Sequence, residues 1–152
     1  MSVQQRTYQT SEAARAANMP QRKLRQLIDR QIAPLRGNDV KPNGSGNYCR
    51  LSRNRVIQVA IIGRLTNVGV GVSKAAEAAL QFSDVGDWVR PPSEVFPIGK
   101  TLLVLVPHSP PAVTNSSYEA NVGGLLESGA AVVVDLNRIV ADVDAALNNF
   151  HK

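Results

Sequence analysis

Apolar positions recur with helical spacing along several stretches of this chain and form unbroken runs in two others. From Thr10 to Ala17 the alanines favour helix, Thr10 stands where an N-cap is expected, and Glu12 falls in the first turn, where the helix dipole favours a carboxylate. Asn18-Met19-Pro20 breaks that helix, and Pro20 is well placed to open the next. Between Gln21 and Arg30, Leu24, Leu27 and Ile28 lie at i, i+3 and i+4 and form one buried stripe. Arg22, Lys23, Arg25, Gln26 and Arg30 occupy the remaining faces. Ala33-Pro34-Leu35 is extended, because the residue before a proline is pushed out of the helical region. Asn43-Gly44-Ser45-Gly46-Asn47, flanked by Val40-Lys41 and by Tyr48-Cys49-Arg50-Leu51, reads as a β-hairpin with a glycine-rich tip. Ser52 caps a third helix running to about Thr66, whose wide apolar coverage implies burial on more than one face. Ser73 caps a fourth, Lys74 to Phe82.

The second half reads differently. Ser83 to Pro97 holds Gly86, Pro91, Pro92 and Pro97 and marks a boundary. Thr101–Val106 and Ala130–Asp135 are the unbroken apolar runs, each of strand length. His108–Ser117 is a Pro/Ser loop, and Tyr118–Leu126 is a short helix weakened by Gly123-Gly124. Asn137–Phe150 is amphipathic, with Ile139, Val143, Ala146, Leu147 and Phe150 on one stripe. The expected fold class is therefore α+β. Residues 1–82 form a helix-turn-helix with a β-hairpin wing, 83–100 a linker, and 101–152 a small strand-strand-helix module. Two strands and a helix are too little to close a core alone. Pairing with a second copy or with the N-terminal helices would remedy that, and Ile139, Val143, Leu147 and Phe150 are the expected dimerisation face.

Composition adds bounds. At 43% hydrophobic residues the chain can build a core, and with 5% aromatics that core rests on Val, Ile, Leu and Ala. The polar stretch Met1–Gln9 does not resemble a signal peptide, and the longest apolar run, Leu102–Pro107, is too short to span a bilayer. One cysteine, Cys49, excludes an intrachain disulfide and a Cys-based metal site within one chain. A cytoplasmic, nucleoid-associated protein without a membrane partner is the expectation.

Charge changes the picture most. Residues 1–74 carry thirteen Lys/Arg against three Asp/Glu, and residues 75–152 carry four against nine. A basic half of that size is the footprint of a surface that docks on a polyanion, most often nucleic acid. A helix in the major groove needs long donors at its N-terminal end, which singles out Arg22, Lys23 and Gln26 for base edges. Arg25, Lys41, Tyr48 and Arg50 are candidates for phosphate and wing contacts, joined by Arg53 and Arg55 at the start of the third helix.

Tyr8 to Leu80 resembles the DNA-binding domain of the MerR family of winged helix-turn-helix regulators. The likeness rests on Thr10-Ser11-Glu12-Ala13-Ala14 at the opening helix, Arg22 and Arg25 in an R-x-x-R pattern, and Ile32-Ala33-Pro34. It continues through Gly46-Asn47-Tyr48-Cys49-Arg50-Leu51-Ser52, similar to a G-Y-R-x-Y-S wing strand, and through Val59 to Gly71. The chain departs from the pattern at Gln26-Leu27, where an aromatic pair is usual, and at Cys49. It also lacks the long coiled coil and metal-binding cysteines of that family. The resemblance implies a sequence-specific regulator of transcription, a repressor or a phage- or mobile-element-type control protein. Its expected partners are double-stranded DNA with a palindromic operator, a second copy of itself, and a protein partner for the acidic half. No cofactor is expected. The alternative is a protein-interaction module, such as an antiactivator or antitoxin, built on the same scaffold.

Other motifs have plainer explanations. Gly69-Val70-Gly71-Val72-Ser73-Lys74 follows a helix and lacks phosphate-loop spacing, so a helix-helix turn is expected. Cys49 suits a small hairpin residue better than a redox sensor, and His108 has no nucleophile nearby in sequence. Asp135 reads as a helix N-cap, with Asp142 and Asp144 on the polar face behind it. Nothing assembles an enzyme.

Overall fold

Five helices and five strands are described by a computed structural model, which covers residues 6–42, 49–115 and 126–150. In order they are β1 (Thr7–Gln9), α1 (Thr10–Ala16), α2 (Gln21–Asp29), β2 (Arg50–Ser52), α3 (Arg53–Asn67), α4 (Val72–Ser83), β3 (Thr101–Leu105), β4 (Ala112–Asn115), β5 (Val132–Asp135) and α5 (Leu136–Asn149). The architecture is α+β with two small antiparallel sheets. β1 pairs with β2, placing Tyr8 opposite Leu51, and β3 lies between β4 and β5. The expected hairpin tip, Asn43–Asn47, and Tyr48 lie outside the described residues, as does nearly all of the helix expected over Tyr118–Leu126.

Local chemistry accounts for the element ends. The Ser52 hydroxyl accepts from the Arg55 N–H at the start of α3, and the Asp135 carboxylate accepts from the Arg138 N–H at the start of α5. Asn18 turns the chain from α1 to α2 at φ +54°, a left-handed conformation that asparagine tolerates better than most residues. Two expected caps are corrected. Thr10 is the first helical residue, and the Glu12 carboxylate reaches back to the Gln9 N–H. α4 starts at Val72, ahead of the expected cap Ser73, with Gly71 in the capping position.

α3 runs through the middle of the molecule. Val56, Ile57, Val59, Ala60, Ile61, Ile62 and Leu65 are all buried, because α1, α4 and α5 cover it from different sides. The core continues without a break into the second half through Leu103, Leu105, Leu136, Ile139, Val143 and Leu147. The expected dimer face is thereby corrected. Ile139, Val143 and Leu147 face α1, α3 and β3 of the same chain, so the cover that the short sheet lacked comes from the N-terminal helices. Phe150 is half-buried, with the Arg15 guanidinium 5.2 Å from its ring centroid.

Two further expectations change. The Pro/Ser loop over His108–Ser117 contains a strand, β4, held to β3 in the register Leu103↔Val113. The linker over 83–100 is tied down by Arg90, which is only 2% exposed. Its guanidinium donates to the carbonyls of Phe82, Val85, Pro91 and Glu94 and lies over the rings of Phe82 and Phe96. Ser93 adds bonds from its N–H to the Phe82 carbonyl and from its hydroxyl to the Ser83 carbonyl, folding the segment back onto the end of α4.

Candidate nucleic-acid interface

α2 owes its orientation to its apolar stripe. Leu24, Leu27 and Ile28 are buried, which leaves Arg22, Arg25, Gln26 and Arg30 exposed on the outer side. Lys23 is only part-exposed, and its Nζ donates to the Thr66 hydroxyl at 3.3 Å, drawing it toward the end of α3. Of the three side chains expected at base edges, Arg22 and Gln26 thus stand free on the surface, and Lys23 leans inward.

The hairpin base sits beside this helix. Val40 and Arg50 form an antiparallel bridge with N···O distances of 2.8 and 3.0 Å, which brings exposed Lys41 and half-buried Cys49 to its two sides. Arg25, Ile28 and Asp29 of α2 line one crevice of about 170 Å³ together with Leu35, Pro42 and Cys49. Of the cations, Arg25 lines this crevice, and exposed Lys41 directly precedes Pro42 in its wall. The Arg50 guanidinium is turned away to β1, where it donates to the Thr7 hydroxyl at 3.0 Å and the Thr7 carbonyl at 2.7 Å. Burial pushes the Cys49 thiol above its usual pKa, which disfavours the reactive thiolate.

Arg53 and Arg55 correct the expectation of phosphate contacts at the start of α3. Arg55 is 1% exposed, and its guanidinium is taken up by Asp39 at 2.8 Å, by Asp84 at 3.0 and 3.1 Å, and by Gln58. Arg53 is 8% exposed and grips Asp144 with two bonds of 2.7 and 2.9 Å, with Glu94 and the Ser93 carbonyl on its third nitrogen. The hydrogen bond and charge of Asp144 raise the Arg53 pKa further. Both are structural cations. A buried charge is tolerated only when paired and hydrogen-bonded; Asp84, Glu94 and Asp144 of the acidic half are partners here, together with Asp39 of the basic half.

This sorting explains much of the charge split. Asp84, Glu94, Asp142 and Asp144 from the acidic half pair with Arg53, Arg55 and Arg64 from the basic half. Among the described residues, Arg22, Lys23, Arg25, Arg30 and Lys41 form no ion pair.

Sequence reasoning missed Asp39. Its carboxylate accepts from the N–H groups of Arg36 and Ser52, the Ser52 hydroxyl and Arg55, joining the hairpin base to the start of α3. The only signal was a lone acidic residue in a basic stretch. Among the described residues, no group of three His, Cys, Asp or Glu is arranged to hold a metal ion, and no helix is long and apolar enough to cross a membrane. In comparisons with known proteins, no family model matches the chain and no curated protein matches it.

Proposed function

We propose that this chain is a sequence-specific double-stranded DNA-binding regulator, a winged helix-turn-helix that sets α2 in the major groove and lays the Lys41 hairpin on the backbone. One observation carries the reading. The buried arginines are neutralised within the fold, whereas Arg22 and Arg25 of α2, Arg30 at its end and Lys41 at the hairpin base are left exposed, without ion-pair partners among the described residues. Solvated helix faces also carry cations, but they commonly carry balancing acids at i+4. Here α2 carries three cations against one acid, Asp29, which stands at i+4 from Arg25 but does not pair with it. Arg22 and Gln26 are assigned to base edges, and Arg25 and Lys41 to phosphates. The resemblance to the MerR pattern at Arg22, Arg25 and Ile32-Ala33-Pro34 agrees with this docking.

The test is footprinting on genomic duplex fragments at two salt concentrations. A regulator protects discrete sites and binds less as salt rises, in proportion to the phosphates it neutralises. Diffuse smearing without protected sites would favour the protein-interaction reading instead.

A further inference from the structure

Trp88 is the single tryptophan of the chain and is 96% exposed. An indole in that state leaves most of roughly 200 Å² of surface in water. The loop that carries it has a fixed shape. The Asp87 N–H donates to the Arg90 carbonyl at 2.9 Å, and the Asp87 carboxylate accepts from the N–H groups of Val89 and Arg90 at 2.8 Å each. A Cβ on Gly86 would lie 2.8 Å from the Arg90 carbonyl oxygen and from Pro92, so the chain closes here as tightly as glycine permits. Buried Arg90 pins the far end. A rigid loop loses little conformational freedom on docking, and tryptophan is enriched among the residues that dominate interface energetics.

The opposite end of α4 carries an apolar hollow of about 400 Å³ lined by Val70, Gly71, Lys74, Val106, Pro107 and Val132, among others. We propose that this hollow receives Trp88 of a second copy, giving a two-fold dimer. Loop and hollow lie at the two ends of one helix of 12 residues, about 18 Å long at the standard helical rise. In the proposed dimer two such helices run antiparallel with each loop set against the other copy's hollow, so that both seats fill at once and the interface closes on itself. Charge fits the same arrangement. The Asp87 side chain, beside Trp88, is 40% exposed even with its carboxylate 3.9 Å from Arg90, and Lys74 on the rim of the hollow is exposed with no acidic partner among the described residues. This surface is separate from the α5 stripe and does not depend on DNA binding.

Because Trp88 is the sole tryptophan, its fluorescence reads the contact directly. The experiment follows emission and acrylamide quenching of the full chain from low to high micromolar concentration, with sedimentation on the same samples. The dimer predicts a blue shift and reduced quenching that rise together with the dimer fraction. Trp88→Ala weakens association by roughly 30-fold or more, as expected for a hot spot, and Lys74→Glu weakens it less. A chain that stays monomeric, with its tryptophan fully quenchable throughout, overturns the proposal. So does a dimer that forms equally well with Trp88→Ala.

Discussion

Asp39 and Arg55 meet where the hairpin base, α3 and the end of α4 converge, and both side chains are almost wholly removed from solvent. Removing one member of such a pair leaves the other charged group buried with too few partners. Asp39→Ala is expected to lower stability by about 3–5 kcal/mol, read as a drop in the urea midpoint, whereas Asp39→Asn, which keeps an acceptor, loses less. A second residue-scale prediction concerns pH. The Lys100 ammonium, 3.0 Å from the Asp135 carboxylate, and the helix N–H bond hold the Asp135 pKa below its ordinary value of 3.8. The unfolded chain then takes up this proton before the folded one. The stabilisation is present above the ordinary value and is lost as pH falls through the folded value. Lys100→Ala should therefore flatten the acid limb of a stability-versus-pH curve. An unchanged acid limb would contradict this account of the cap.

At the scale of elements, α5 completes the core that α1, α3 and β3 begin. Leu147→Ala should cost about 2–5 kcal/mol and lower a single unfolding transition shared by both halves. Two separate transitions in the wild type would instead indicate halves that do not depend on each other. α2 behaves oppositely, because its arginines are exposed. Arg22→Ala and Arg25→Ala should each change stability by no more than about 0.5 kcal/mol. Which elements were legible follows from range. The stripe of Leu24, Leu27 and Ile28 and the caps Ser52 and Asp135 are set within one or two helical turns, so sequence spacing exposes them. β4 is four residues beside two prolines, and only its pairing with β3 makes it a strand. Arg53 and Arg22 look alike in sequence. What separates them is Asp144, 91 positions from Arg53, and spacing carries no trace of a contact so distant.

For the whole molecule, the charge asymmetry performs two tasks. Part of it is internal, binding the acidic half to α3 through Arg53, Arg55 and Arg64. Of the remainder, Arg22, Arg25, Arg30 and Lys41 are exposed on α2, at its end and at the hairpin base, where the proposed function uses them. The acids Asp84, Glu94, Asp142 and Asp144 are engaged by Arg53, Arg55 and Arg64 and not by the cations of that face, and a positive face steers a polyanion toward itself. The measurement that tests this most directly is fluorescence anisotropy on a footprinted duplex at two salt concentrations. It compares wild type, the double variant Arg22→Ala/Arg25→Ala, and Arg138→Ala as a control on α5, whose exposed guanidinium pairs with Asp142. The account predicts that the α2 variant loses at least about tenfold in affinity, at about 1–3 kcal/mol per lost base contact, and shows a shallower salt dependence. The control should bind as wild type. If the α2 variant, still folded, binds the duplex with wild-type affinity and salt dependence, α2 is not the element that meets DNA.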